Sequence, residues 1–270
     1  MRTETAAAEA YQSSFQTAFK RDLDRILNSL PVPANARVLD VPCGNGFYAR
    51  RLADRLGADG RLVAVDVSDD CLERTRSRLN GVSAPAVEVV EADAYALPFP
   101  DDTFDVVWCA QSLISLDPVR AVREMHRVVK PAGLVAILEV DEFHHVLLPW
   151  PAAVEAELPA AVHAACVRKY GDGVKLSPTR RLRRVLKQAG FGSVRRDTYP
   201  AERAAPFDRS TTEFINHHLD YLRSLAYPHL PASLRPAFDR MSDPDSPDSL
   251  FRMPDAEVVL INVVYFARGK

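Results

Sequence analysis

Residues 37–48 read Arg-Val-Leu-Asp-Val-Pro-Cys-Gly-Asn-Gly-Phe-Tyr, and this stretch decides the fold. A short apolar run ends in an acid, Asp40. A tight turn follows, Cys43-Gly44-Asn45-Gly46, and a helical pattern starts at Phe47. Strand, glycine turn and helix in that order make a loop of the nucleotide-binding type. Asp40 narrows the ligand. A carboxylate at the strand end repels a pyrophosphate, whereas it attracts an ammonium group or accepts from a ribose hydroxyl.

The flanking sequence repeats the alternation. Residues 5–30 are predicted to form one or two amphipathic helices. Tyr11, Phe15 and Phe19 recur every four residues, Leu23, Ile26, Leu27 and Leu30 continue the stripe, and Pro31 and Pro33 end it. The first strand is expected over Arg37–Val41 and its helix over Phe47–Leu56. A second strand over Arg61–Val67 leads to a helix over Ser68–Leu79, closed by Asn80-Gly81. Further strands are expected over Ala86–Glu91, Phe104–Cys109 and Leu134–Val140, with a helix over Pro118–Val129. Apolar strands separated by helices indicate a parallel sheet covered on both faces, a doubly wound α/β fold. Beyond residue 141 the pattern changes to Ala-rich helical stretches broken by Pro149, Pro151 and Pro159. A helix from Ser177-Pro178 to Gly190, a strand over Gly192–Tyr199 and mixed helical sequence over 201–240 follow. Residues 242–250 read as a mobile polar loop, and Val258–Phe266 as a final strand.

Hydrophobic residues make up 47% of the 270, charged residues 26%, and the formal net charge is −2, so nothing points to nucleic acid. Cys43, Cys71, Cys109 and Cys166 lack C-x-x-C spacing and read as reduced thiols. No signal-peptide core follows the N-terminus, and no apolar run approaches the roughly 20 residues of a membrane span. A cytoplasmic location and no membrane partner are therefore expected.

Two more acids fit the opening turn. Asp66 closes the second strand about 20 residues beyond the glycines, where an acid reaches the ribose hydroxyls of an adenosine. That position suits NAD as well as S-adenosylmethionine. Asp93, after the third strand, is placed to accept from an adenine amino group. Together with Leu97-Pro98-Phe99-Pro100-Asp101-Asp102-Thr103-Phe104-Asp105 and His126-Arg127-Val128-Val129-Lys130-Pro131-Ala132-Gly133, these motifs closely resemble class I S-adenosylmethionine-dependent methyltransferases of the small-molecule type. The resemblance covers about residues 35–140. The family usually has Gly where this chain has Pro42, so the turn keeps its shape only if that position takes a negative φ.

The resemblance implies a single domain. Helices over 1–34 form a lid, 35–140 a cofactor-binding half, 141–250 an acceptor cap with strand six, and 257–267 an antiparallel seventh strand. It places Asp40, Cys43, Gly44 and Gly46 along the methionine part of the cofactor, Asp66 and Val67 at the ribose, and Asp93 and Ala94 at the adenine. The segment Cys109–Gln111 lies under the sulfonium.

Methyl transfer needs a base only when the acceptor is a weakly acidic hydroxyl or a protonated amine. The candidates are His144 and His145, after the fifth strand, and His217. In a helix His217 shares a face with Tyr221, while His218 points about 100° away. Solvated or core histidines are the competing reading. Tyr11, Phe19 and Tyr221 are candidate lid residues, with plain helix packing as the alternative. No metal site is expected. The fourth strand is not followed by the Asn/Asp-Pro-Pro-Tyr/Phe motif of many base methyltransferases, and no basic domain is attached. The expected acceptor is a small organic molecule, methylated on O, N or C, with the chain a monomer or homodimer. A protein of this fold that binds the cofactor but catalyses another reaction, or none, is the first alternative. A nicotinamide oxidoreductase is the second, disfavoured by Asp40.

Overall fold

The computed structural model describes residues 2–140, 146–170 and 178–269. The chain runs α1 (Arg2–Ala18), α2 (Lys20–Asn28), β1 (Arg37–Asp40), α3 (Phe47–Ala53), β2 (Arg61–Asp66), α4 (Asp69–Leu79), β3 (Ala86–Glu91), β4 (Phe104–Ala110) and α5 (Pro118–Val128). It continues as β5 (Val129–Val140), β6 (Val146–Leu147), α6 (Ala152–Tyr170), α7 (Pro178–Gln188), β7 (Ser193–Ala204), α8 (Arg209–Leu225), α9 (Arg235–Ser242) and β8 (Glu257–Arg268). It divides into two compact units: Met1–Leu23, Glu142–Leu176 and Pro200–Ile261 form one, and Asp24–Asp141, Ser177–Tyr199 and Asn262–Lys270 the other.

The second unit holds the sheet, in the order β3-β2-β1-β4-β5-β8, with β7 also on β8. The first five strands are parallel: Leu39 pairs with Val63 and Val107. β8 is antiparallel, with Ile137 opposite Tyr265. Gly192 donates to the Arg268 carbonyl, which ties β7 to the far end of β8. β1, β2, β4 and β5 are almost wholly buried, as expected of strands covered on both faces. β3, at the edge, is not. The helices start where their caps allow. Ser68 accepts from Cys71 N at the head of α4, and Asp117 accepts from Val119 N and Arg120 N ahead of Pro118 in α5.

Most boundaries shift by a residue or two, and three larger shifts have a visible cause. α3 ends at Ala53 rather than Leu56, because its last turn tightens to Arg55 N→Leu52 O and Leu56 N→Ala53 O bonds. β5 starts at Val129, not Leu134, because Val129 already pairs with Phe104. β7 runs on to Ala204, so the first residues of the stretch expected to be helical are strand.

The motif residues far from the glycine turn hold the sheet's connections. Arg127 donates to Leu97 O, Phe99 O, Asp101 and Glu124, which fixes the Leu97–Asp101 loop to α5. Asp105 accepts from Arg37 N at 2.8 Å and pairs with Lys130 at 2.7 Å. A side chain at Gly133 would meet the Asp105 carbonyl at 2.9 Å, so the turn before the apolar part of β5 has no room for one.

The first unit is built on aromatic packing. Phe19 and Phe214 are fully buried and meet edge to face at 5.1 Å, and Tyr11 and Phe15 also lie against Phe214. The four-residue stripe of α1 is thus the face that α1 lays on α8. Arg203 stacks on the Phe19 ring and donates to Ala18 O and Asp22, closing the end of α1. Trp150 stacks on Phe238 at 5.0 Å. In the same unit β6 pairs with the start of β8, Val146 opposite Leu260. Residues 242–250 correct the expectation of a mobile loop. Ser246 N and Ser249 N close successive turns on Asp243 O and Ser246 O. Ser249 is fully buried and caps the short 3-10 turn Leu250–Arg252.

Phe214 touches the rings of Tyr11, Phe15, Phe19 and His218, so Phe214→Ala should remove about 3–5 kcal/mol of stability, read by denaturant unfolding.

Candidate functional site

The turn after β1 is set by backbone bonds to its neighbours. Val41 N donates to Trp108 O, Cys43 N to Val65 O, and Gly46 N to Cys43 O. Gly44 and Gly46 take positive φ of 52° and 75°, while Pro42 is not among the positive-φ residues, so proline fits there. The two glycines serve different ends. A Cβ at Gly46 would lie 2.8 Å from the Thr75 backbone, whereas one at Gly44 would meet nothing within 4 Å. Gly46 is thus required by the α4 packing, and Gly44 leaves open space above the turn.

Thr75, fully buried, donates to Gly44 O at 3.0 Å and lies 3.5 Å from Cys43 Sγ. Burial first, and the Asp40 charge second, keep the Cys43 thiol protonated well above its ordinary range. It is a packed side chain of the turn rather than a nucleophile.

Asp40 and Asp66 end adjacent strands at this turn. Asp66 accepts from Gly44 N at 2.9 Å through Oδ2 and from Ser68 N at 3.0 Å through Oδ1. The residue expected to meet a ribose therefore also braces the glycine turn, and each carboxylate oxygen keeps a further lone pair. Asp40 is 1% exposed and accepts from Ala49 N in the first turn of α3. Its Oδ2 has no hydrogen-bond partner among the described residues. Burial, then the nearby Asp66 charge, push its pKa well above the ordinary carboxylate value. A cation or donor at Oδ2 would satisfy that oxygen and reverse the shift.

The other candidates of this unit follow the sheet. Val67, just past β2, is 65% exposed. Asp93 accepts from Tyr95 N at 2.9 Å through Oδ1, an Asx turn at the exposed end of β3, and Ala94 beside it is buried. Tyr95 in turn accepts from Asp117 N at 2.6 Å. Cys109 is fully buried near the end of β4, and burial raises its thiol pKa well above the usual range. Gln111 takes a left-handed φ of 53° with its N–H on Leu138 O. Asp40, Cys43, Gly44, Gly46, Asp66, Asp93 and Gln111 therefore all lie in one unit, at the C-terminal ends of β1 to β4, where ligands of open α/β sheets bind.

The remaining candidates lie elsewhere. Tyr11 stacks on Tyr221 at 5.2 Å and 8°, and Phe19 is enclosed in the core of the first unit. His218 is buried 5.4 Å from the Tyr11 ring, and His217, on the adjoining face of α8, is half-buried with Nδ1 unpaired. His144 and His145 lie outside the described residues. Among the described residues no group of three or more His, Cys, Asp or Glu is arranged to hold a metal ion. No described helix is long and apolar enough to cross a membrane.

Three site residues escaped the sequence reading. Thr75 and Tyr48 gave no local signal. Tyr48 is buried 5.5 Å from the Trp108 ring, its hydroxyl without a hydrogen-bond partner among the described residues. Glu139, 1% exposed at the end of β5, carries the same mark as Asp40 and Asp66, an acid closing an apolar strand.

Residues 39–137 match a family described as a methyltransferase domain. The 27-O-demethylrifamycin SV methyltransferase of Amycolatopsis mediterranei is 31% identical over 224 residues, 82% of this chain and 76% of that protein. A ubiquinone/menaquinone biosynthesis C-methyltransferase of Cronobacter sakazakii is 32% identical over 170 residues, 58% of this chain and 67% of that protein. Among solved structures, an S-adenosylmethionine-dependent methyltransferase of Aquifex aeolicus shares the fold with a TM-score of 0.51 and 21% identity, covering 74% of this chain and 90% of that one.

The glycine geometry separates two variants. Gly46→Ala should cost about 2–5 kcal/mol through positive φ and overpacking, and Gly44→Ala about 1–2 kcal/mol through φ alone, both read by denaturant unfolding.

Proposed function

The chain belongs to the class I S-adenosylmethionine-dependent methyltransferases, enzymes that methylate small molecules, and from that premise we propose how its own residues hold the cofactor and which acceptor it serves. The carrying observation is the unpaired, buried Oδ2 of Asp40 beside the open space over Gly44. A carboxylate so placed favours a cationic amino-acid cofactor over a pyrophosphate, which argues against the nicotinamide reading. Cys43, Gly44 and Gly46 line the methionine part. Asp66 takes the ribose hydroxyls on its remaining lone pairs, with Val67 alongside. Asp93, whose Oδ1 is held by Tyr95 N, offers its other oxygen to the adenine amino group, with Ala94 as the apolar wall.

S-Adenosylmethionine supplies an activated methyl on a sulfonium, so the protein's task is alignment. The backbone of Cys109–Gln111 lies under the reacting centre, held by the Gln111 N bond to Leu138 O. We place the acceptor atom on a hydroxyl. A relative matched over 82% of this chain is named 27-O-demethylrifamycin SV methyltransferase, whereas a C-methylating relative is matched over 58%. A hydroxyl acceptor calls for a base, and His144, His145 and His217 are the candidates. Tyr11, Phe19 and Tyr221 belong to the lid side, Phe19 as its packing and the stacked Tyr11–Tyr221 pair as its more polar part.

Calorimetric titration with S-adenosylmethionine and with NAD tests the cofactor assignment. Binding of the former and not the latter is expected, and tight NAD binding would overturn it. Asp66→Ala should weaken S-adenosylmethionine binding at least about tenfold, roughly the loss of one charge-assisted hydrogen bond. Unchanged affinity would contradict the ribose role. Release of S-adenosylhomocysteine with a panel of hydroxyl acceptors, but not with amines, checks the acceptor.

A further inference from the structure

The turn that leaves β4 is held in an unfavourable shape by two consecutive residues of β5. Gln111 sits at φ 53°, a left-handed conformation that costs a side-chain-bearing residue about 1–2 kcal/mol. Such a residue persists only when its surroundings fix it. Here Gln111 N donates to Leu138 O at 2.8 Å. Just beyond, Ser112 N and Leu113 N converge on one oxygen, Oε1 of Glu139, at 3.1 Å and 2.9 Å. The Ser112 hydroxyl closes the turn on Ala110 O at 2.8 Å.

A carboxylate is a costly way to make this clamp. Glu139 is 1% exposed, and burying an ionised group without a cation is destabilising. A neutral glutamine would present the same acceptor oxygen. Among the described residues no cation contributes to the environment of Glu139. The titratable groups among the described residues that sense it are Cys109 from β4 and Tyr48 from α3, both held protonated by burial, and β8 brings Val263 opposite it. The two clamp bonds by themselves thus do not call for an ionisable group.

We propose that Glu139 is a positioning residue of the cofactor site: its carboxylate sets the β4 exit turn, and proton uptake on it loosens that turn and weakens cofactor binding. The proposal rests on the reading of Cys109–Gln111 as the floor beneath the sulfonium. Bonds from N–H groups to a charged oxygen are about twice as strong as those to a neutral one, so protonation weakens both clamp bonds together. Burial lifts the carboxyl to about 7, and the two N–H bonds only partly oppose it. The cofactor then selects the ionised form, and affinity falls as pH drops below that value.

Calorimetry on the full chain, with S-adenosylmethionine and with S-adenosylhomocysteine between pH 5.5 and 7.5, tests this in native protein and in Glu139→Gln. For a group titrating near 7, native affinity for both ligands should fall by about eightfold from pH 7.5 to 6. Glu139→Gln should lack that component and bind at pH 7.5 with the weaker affinity of the neutral clamp. A fall as steep in Glu139→Gln as in native protein would overturn the proposal, any part carried by Asp40 being common to both. A fall seen with S-adenosylmethionine alone would also overturn it, since that is attraction to the sulfonium and not the turn. NMR of the cofactor-free protein decides it even if the variant misfolds. One glutamate carboxyl and the Ser112 and Leu113 amides should titrate together near pH 7, and amides that stay still would refute the clamp. If neither ligand binds native protein at any pH, the cofactor reading falls separately, and the amide titration still judges the turn.

Discussion

Two buried carboxylates at the ends of neighbouring parallel strands set the character of this molecule. Asp40 closes β1 and Asp66 closes β2, and the glycine turn lies against both. Asp66 is braced by two backbone N–H groups, and Asp40 has one such bond and one oxygen unpaired. The arrangement is poor for stability and suited to binding. With its pKa raised, Asp40 takes up a proton in the fold that it would not hold in the unfolded chain. Through this group the empty protein gains stability as pH falls from the raised value toward the ordinary carboxylate range, and loses it as pH rises. A bound cation would remove that penalty, which is the ground for proposing that the β1 turn receives a charged amino-acid ligand.

The rest of the sheet unit keeps this pair in place. Gly46 admits Thr75, and Thr75 holds the Gly44 carbonyl. Arg127 ties the loop beyond Asp93 to α5 through two carbonyls and two carboxylates, though as a partly exposed group its ion pairs are screened. Its value lies in geometry: one rigid guanidinium satisfies several loop carbonyls at once. The motif residues that looked like sequence signatures are in large part connectors of this kind.

The sheet was legible because its strands are short apolar runs ended by acids, glycines or prolines. Asp40 and Asp66 each close such a run, Asp93 lies two residues beyond a third, and their places at the strand ends follow directly from it. Boundaries slipped where tertiary pairing overrides local pattern, as at Val129, which joins β4 ahead of the Pro131–Gly133 turn. Glu139 carried the same signal as Asp40 but sat beside the histidine pair, which drew the chemical reading away from it. Residues 242–250 looked mobile because Ser, Asp and Pro fill turns and loops alike, and only the burial of Ser249 distinguishes the two. The helical unit was the hardest to read. Its aromatic stripe on α1 gives the same periodicity whether it packs on α8 or faces a ligand, and His217 and His218 differ only in which side of α8 is covered.

The claim that Asp40 is the receptor for a cationic cofactor is tested most directly by counting protons. S-Adenosylmethionine would be titrated by calorimetry at a series of pH values above the ordinary carboxylate range into native protein and Asp40→Asn, in buffers of different ionisation enthalpy. The account predicts that native protein releases more protons on binding than Asp40→Asn, and that the variant binds at least about tenfold more weakly, the loss of one charge-assisted contact. Equal proton release and equal affinity in the two proteins would contradict it.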